Sequence, residues 1–441
     1  MITGSAVYHV VEAMAPLYTS AALGFASVRW LKAFSAEQCA GINHFVAIYA
    51  VPVLIFQMVS TNNPYAMNAR LVAADTLQKA VMLIGLMAWA AWASRSSRRG
   101  SKGRGKASAV VAASASPLQW VVTAFSVAAL PNTIIMGVPL LGGMYGPVSK
   151  ELMKQIVVMQ FCVWYNVVIF IYEYMAARRA ATAADGVSAR ISPASPAGEA
   201  TPPAEKIARD DAAETERAHQ VTVNIEITEV AAASTAQKAN TTTGALEKEV
   251  STGEDVTAAA AAAAAEEVPP PPAPKSTAPS VGHIALMAGK KVLKIPNTYA
   301  SFLGLIWSLI AFKCGIKMPK IIDDSLFTIQ TTAVGLSMFA SGTFIARQSR
   351  FVPCGYAIAS VSMVLKFLVG PVVMLLASLA IGMHGTLLHI AVVQAALPLA
   401  VTSFVYAEEY KVHADIMSTG VILGIFISLP VTIVYYILLG L

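Results

Sequence analysis

Ala128-Ala129-Leu130-Pro131-Asn132-Thr133 and Ala395-Ala396-Leu397-Pro398-Leu399-Ala400 place one tetrapeptide, Ala-Ala-Leu-Pro, in the middle of two separate apolar runs. Each run is long enough to cross a bilayer. Proline in a helix interior removes a backbone hydrogen bond and clashes with the preceding turn. In hydrocarbon, the freed N–H and C=O groups must be satisfied inside the protein or beside a water-filled cavity. Two broken helices at matching places in two halves of a chain are the mark of a secondary transporter whose substrate binds at the break.

The composition around these breaks agrees. Of 441 residues, 56% are hydrophobic and 13% charged, with a mean hydropathy of +0.61, against roughly 25% charged in soluble globular chains. This predicts an all-α polytopic membrane protein. The net charge of +6 sits mainly in short loops between apolar runs, so it reports orientation and implies no nucleic-acid partner. Cys39, Cys162, Cys314 and Cys354 lie apart, without CxxC or metal-ligand spacing, and read as packing residues. No metal, cofactor or catalytic constellation is expected, and the chain does not read as an enzyme. The first apolar stretch contains Glu12 and lacks a basic segment before it, so it reads as a retained helix and not a cleaved signal.

A span needs about 20 residues. The apolar runs divide into about ten: 8–30, 38–60, 71–94, 120–141, 152–175, 296–314, 325–346, 352–379, 387–406 and 416–439. Residues 177–289 change character, with Ala, Thr, Pro, Ser and Glu dominant. They are expected to form a largely disordered loop, with a short helix over Ala258 to Ala265 halted by the prolines from 269. Arg29 and Lys32, then Arg95, Arg98, Arg99, Lys102, Arg104 and Lys106, then Arg178 and Arg179, then Arg347 and Arg350 follow spans one, three, five and seven. The positive-inside rule puts those loops and 177–289 in the cytosol and both termini outside, despite Lys150, Lys313, Lys317 and Lys320 on the other side.

Five spans on either side of the loop, 1–176 and 290–441, must have opposite topology. Pro16 precedes Leu23-Gly24 in span one as Pro296 precedes Leu303-Gly304 in span six, and the Ala-Ala-Leu-Pro pair marks spans four and nine. The expectation is two inverted five-helix repeats.

Unwinding at Pro131 and Pro398 exposes half-helix N-termini, whose free N–H groups favour an anion such as an organic carboxylate. Asn132 and Thr133 follow the first break with neutral donors and acceptors. Asn297 and Thr298 repeat the Pro-Asn-Thr tripeptide at the head of span six. The alternative is that these groups only satisfy broken backbone. Asp75 and Lys79 sit four apart on one face of span three, deep in the membrane. The lysine ammonium there can stand where ion-coupled transporters of related shape hold sodium; the alternative is a structural ion pair or a snorkelling lysine. Gln78 and Gln394 are candidates for the same network. Lys366 and Glu12 are further intramembrane charges without an assigned role. Val51, before Pro52 in span two, is a candidate wall for an aromatic substrate, or plain packing.

Taken together with Met1-Ile2-Thr3, Asn62-Asn63-Pro64-Tyr65-Ala66-Met67-Asn68, Ala73-Ala74-Asp75, Leu77-Gln78-Lys79, Leu130-Pro131-Asn132-Thr133, Pro296-Asn297-Thr298-Tyr299-Ala300-Ser301, Leu429-Pro430 and the closing Tyr435 to Leu441, the chain resembles the PIN-FORMED auxin efflux carriers of plants and their algal relatives. The likeness covers nearly all of both membrane halves and none of the central loop. It implies crossed broken helices of the kind found in sodium/proton antiporters and bile-acid transporters. Spans one, two, six and seven would form a scaffold, spans three to five and eight to ten an elevator-type transport block, and two copies a homodimer. It implies that Asn132 and Asn297 contact the carboxylate or indole of indole-3-acetate or a related aromatic carboxylate, with Asp75 and Lys79 as a support site.

The expected function is efflux of the auxin anion driven by membrane potential without a coupling ion. The alternatives are an ion-coupled carrier of another carboxylate, against which Lys79 argues, and an auxin-binding receptor. Three departures stand out: Leu399 where land-plant members usually have Gln, Gln57 where many have His, and no Thr-Pro-Arg-x-Ser phosphorylation signature, Thr201-Pro202-Pro203 being the nearest. Protein kinases remain candidate partners through Ser192. The expected location is the plasma membrane, with the endoplasmic reticulum as the alternative.

Overall fold

A computed structural model describes residues 4–100, 116–190 and 281–440. The expected loop helix over Ala258 to Ala265, the Ser192 site and the loop's predicted disorder lie outside them. By its internal contacts the chain divides into Met1–Asp185 with Thr277–Leu441, and Gly186–Ser276. The helices below belong to the first unit, except that of the second only 186–190, the end of one helix, is described.

The described residues are helical, as the apolar runs predict, and contain no strand beyond one isolated bridge. Helix α1 is Gly4–Arg29, with Pro16 inside it. Ser35 caps α2 (Ala36–Phe45) through a reciprocal capping box with Gln38, and a π turn (Val46–Ala50) joins α2 to α3 (Val51–Ser60). Then follow α4 (Ala69–Gly100), α5 (Pro117–Ala129) and, after a break and a π turn (Thr133–Gly137), α6 (Val138–Tyr145). Helix α7 (Pro147–Met159) passes through a π turn (Gln160–Trp164) into α8 (Tyr165–Arg190).

The second half runs α9 (Val281–Val292), α10 (Pro296–Cys314) and α11 (Lys320–Arg347). Next come α12 (Tyr356–Val364), a π turn (Leu365–Val369) and α13 (Gly370–Ala380). It closes with α14 (Gly385–Ala395), α15 (Val401–Glu409) and α16 (Ala414–Gly440). Helix therefore reaches into the expected 177–289 loop from both ends.

Six helical segments among the described residues are long and apolar enough to cross a membrane: Ala36–Ser60, Ala69–Ser96, Pro147–Ala180, Lys320–Arg347, Tyr356–Ala380 and Ala414–Gly440. Four predicted runs are not among them: run 8–30 is the single helix α1, and the other three differ in form. Runs 120–141 and 387–406 are each split in two at their proline, and α10 forms a pair with α9 bent by 75°.

Two close backbone approaches hold the helices that carry Gly24 and Gly304. Helix α1 packs along α11, and α10 along α3. A Cβ on Gly24 would run into the Phe339 carbonyl; one on Gly304 would lie 2.9 Å from the Phe56 carbonyl oxygen. Small residues at such crossings let helices in lipid gain dispersion contacts that no hydrophobic driving force supplies. Elsewhere α4 packs on α5 and α13, and α13 on α14.

Candidate functional site

The two Ala-Ala-Leu-Pro breaks meet. Leu130 leaves helical geometry at φ −110°, ψ 83°, and Pro131 forms an antiparallel bridge with Leu399. The Asn132 amide donates to the Pro398 carbonyl at 2.8 Å, and the Ala400 amide to the Leu130 carbonyl at 3.3 Å. Each unwound segment thus satisfies a backbone group that unwinding has left free in the other, which is the condition for broken backbone to exist at membrane depth.

Gln160 completes the crossing. It lies in a π turn, where one extra residue per turn re-aims side chains. Its Nε2 donates to the Pro131 carbonyl at 2.8 Å, and its Oε1 accepts from the Thr133 hydroxyl at 2.8 Å. Thr133 is therefore engaged in satisfying the break. The Asn132 carbonyl accepts from the amides of Met136 and Gly137 at 3.3 and 3.0 Å, and Asn132 is only 5% exposed.

A cavity of about 760 Å³ lies beside the crossing. Val51, Ile135, Phe344 and Val401 give it apolar walls; Asn297, Ser337, Thr402 and Tyr406 give it polar points. Arg347, Glu408 and Glu409, at the C-terminal ends of α11 and α15, line it as well. Asn297 sits in the first turn of α10, where Pro296 starts the helix without sacrificing an amide. Its Nδ2 donates to the Tyr406 hydroxyl at 3.3 Å, while its Oδ1 is buried without a partner. The Ser337 hydroxyl on α11 is likewise buried and unpartnered. A cavity with apolar walls and a few unpaired polar atoms is the usual form of a small-molecule site.

Of the residues singled out from sequence, Val51 and Asn297 come together around this cavity. Pro131, Asn132, Thr133 and Pro398 form the crossing next to it, reached through Ile135. Ser337, Tyr406 and Gln160 were not foreseen; only Gln160, an amide isolated in an apolar run, left a signal.

Asp75 and Lys79 pair on α4, both side chains without exposed surface. Asp75 Oδ2 has no partner. Gln78 Nε2 donates to the Gly370 carbonyl at 3.3 Å, tying α4 to the start of α13. Lys366 in the π turn before α13 is 1% exposed, with Nζ unpartnered, and lies within electrostatic reach of Lys79. Gln394, near the end of α14, is buried with a free Nε2. No group of three or more His, Cys, Asp or Glu able to hold a metal occurs among the described residues.

Apolar helices, two of them broken and paired backbone to backbone beside a small-molecule cavity, define the protein as a membrane carrier. A family model described as "Membrane transport protein" matches residues 9–436. The chain is 72% identical to probable auxin efflux carrier component 9 of Oryza sativa subsp. japonica over 446 aligned positions, covering all of both chains. It is 36% identical to auxin efflux carrier component 8 of Arabidopsis thaliana and 35% identical to probable auxin efflux carrier component 1b of rice, again over the whole of each. The chain belongs to the PIN-FORMED auxin efflux carrier family, a family of membrane transport proteins and not of enzymes.

Proposed function

We propose that this protein exports the indole-3-acetate anion, and that the cavity between Val51 and Asn297 receives it. The unpaired Asn297 Oδ1 at a cavity walled by Val51, Ile135, Phe344 and Val401 is the observation that carries this reading. The ring packs against Val51 and Ile135, while Asn297 and Ser337 offer hydrogen bonds to the indole N–H or the carboxylate. Asn132 adds its side chain at the crossing, where the starts of the Thr133–Tyr145 and α15 segments favour negative charge. Related aromatic carboxylates meet the same requirements.

The carrier comprises ten spans in two inverted repeats. The packing of α1 on α11 and of α3 on α10, spans one with seven and two with six, is what such a repeat requires and forms the scaffold block. Polar links join α10 to the helices opposite: Thr298 Oγ1 donates to Asn166 Oδ1 at 2.8 Å, Ser301 Oγ to the Phe161 carbonyl at 3.4 Å, and Asn297 Nδ2 to the Tyr406 hydroxyl at 3.3 Å. A transport block of spans three to five and eight to ten slides past the scaffold by exchanging such bonds, as an elevator does. The ammonium of Lys79 is the fixed cation of the support site, so no sodium or proton is moved.

Indole-3-acetate is ionised at cytosolic pH. A cell-negative potential then drives each charge outward with about 2.3 kcal/mol per 100 mV. The protein works as a homodimer in the plasma membrane with its termini outside and the long loop in the cytosol, where kinases would reach it. The test is radiolabelled indole-3-acetate efflux from proteoliposomes at clamped potential, wild type beside Asn297→Leu at matched incorporation. Wild-type flux that follows potential alone and vanishes in the variant supports the reading. Flux that needs a sodium or proton gradient at fixed potential overturns the uncoupled mechanism.

A further inference from the structure

Helix α9 has no part in the transport scheme, yet it is built for a purpose. Ile284, Ala288 and Val292 recur every four residues and are buried, which fastens one stripe of the helix to the protein. The other side exposes Leu286 and Met287, 58% and 43% accessible, and Leu293 just past the helix end. Lys290 stands four residues from Leu286, and so beside it on that face; Lys294 follows Leu293. Among the described residues neither Lys290 nor Lys294 has an ion-pair partner. Lys291 differs, since its Nζ lies 3.5 Å from Glu173, whose other oxygen accepts the Tyr410 hydroxyl at 2.7 Å.

The 75° bend between α9 and α10 sets the direction of α9. If α10 crosses the bilayer, α9 runs along its surface. Glu173 lies less than two turns before Arg178 and Arg179, so α9 sits at the end of the bundle that the basic loops assign to the cytosol. That leaflet is the anionic one. Exposed leucines adjoining free lysines, on a helix lying flat at such a surface, are the form of an interfacial lipid anchor.

We propose that α9 binds anionic phospholipid of the cytosolic leaflet. Lys290 and Lys294 hold headgroup phosphate, and Leu286, Met287 and Leu293 enter the acyl boundary. Asn297 follows Val292 by only five residues, so the bound lipid fixes the head of α10 at the cavity. The proposal rests on the topology given under Proposed function.

The test uses the full chain carrying Leu286→Trp, reconstituted in phosphatidylcholine vesicles with or without phosphatidylserine, one lipid at a time bearing brominated acyl chains. The added emission is read as the difference from the same chain with Leu286. Quenching by brominated phosphatidylserine is expected to exceed that by brominated phosphatidylcholine at equal content. Lys290→Gln with Lys294→Gln should erase the preference, a loss of about fivefold per lysine. Efflux by the doubly substituted chain in phosphatidylserine vesicles should fall to the level that wild type shows in phosphatidylcholine alone. Equal quenching by both lipids with the lysines present overturns the proposal, and so does no quenching at all, which would leave the face to water or to a protein. A selective quench without flux of any carboxylate upholds the lipid site and sinks the transport reading.

Discussion

Replacing Lys79 by methionine isolates the energetics of the buried pair. The side chain keeps most of its length and loses its charge. Asp75, with no exposed surface and one oxygen already unpartnered, would then have both oxygens unpaired. Removing one member of a buried ion pair costs about 3–5 kcal/mol, because the remaining charge is stranded in low dielectric. Replacing both members by apolar residues is often neutral or stabilising. Equilibrium denaturation in mixed micelles should therefore place Lys79→Met about 3–5 kcal/mol below wild type, and Asp75→Leu with Lys79→Met within about 1 kcal/mol of it. Flux should be lost in both, since the doubly substituted chain regains stability without regaining the fixed cation. A single substitution costing under about 1 kcal/mol would refute the reasoning. It would mean that the Asp75 carboxyl does not depend on Lys79 for its compensation.

Three other outcomes are expected. Gln160→Leu removes the side-chain donor to the Pro131 carbonyl and the acceptor of the Thr133 hydroxyl; a loss of about 1–3 kcal/mol on denaturation is expected, with slowed flux because the crossing loosens. Gly24→Ala pushes a methyl group into the Phe339 carbonyl, and overpacking there should cost about 1–3 kcal/mol by the same assay. His413, in the turn before α16, lies 2.9 Å from the Thr123 hydroxyl and 4.3 Å from the Trp120 ring centroid, and burial lowers its pKa from the ordinary 6.5. Protonation then favours the unfolded chain, so stability should decline as pH falls below 6.5 until the folded ring titrates. His413→Gln should flatten melting temperature against pH in that range.

The sequence marks the crossing because proline leaves a legible trace: a repeated Pro131 and Pro398 can be found without coordinates. The partner of the freed carbonyl cannot. Gln160 reaches Pro131 only because a π turn shifts the register of its helix, and no periodicity announces that shift. Asn297 was visible through the repeated Pro-Asn-Thr, whereas Ser337 is one serine among many on α11 and acquires meaning only from the cavity it faces. Most of helix α9 falls inside the stretch expected to be loop, because its apolar residues adjoin a long polar and Ala-rich run that cannot bury a core and are too few in number to make a span. Gly24 and Gly304 were noted as repeat markers; that each meets a neighbouring backbone is a fact of helix pairing, which spacing does not reveal.

The bridge between Pro131 and Leu399 also sets a timetable for synthesis. When the first half has entered the membrane, the Leu130 carbonyl and the Asn132 amide are still waiting for Ala400 and Pro398. At about 5–20 residues per second, the roughly 270 intervening residues take on the order of 15–50 s to be made. Through that interval the nascent first half carries an open backbone wound in hydrocarbon. It must borrow partners from water, lipid headgroups or the insertion machinery, so the half-made protein is the form most exposed to quality control.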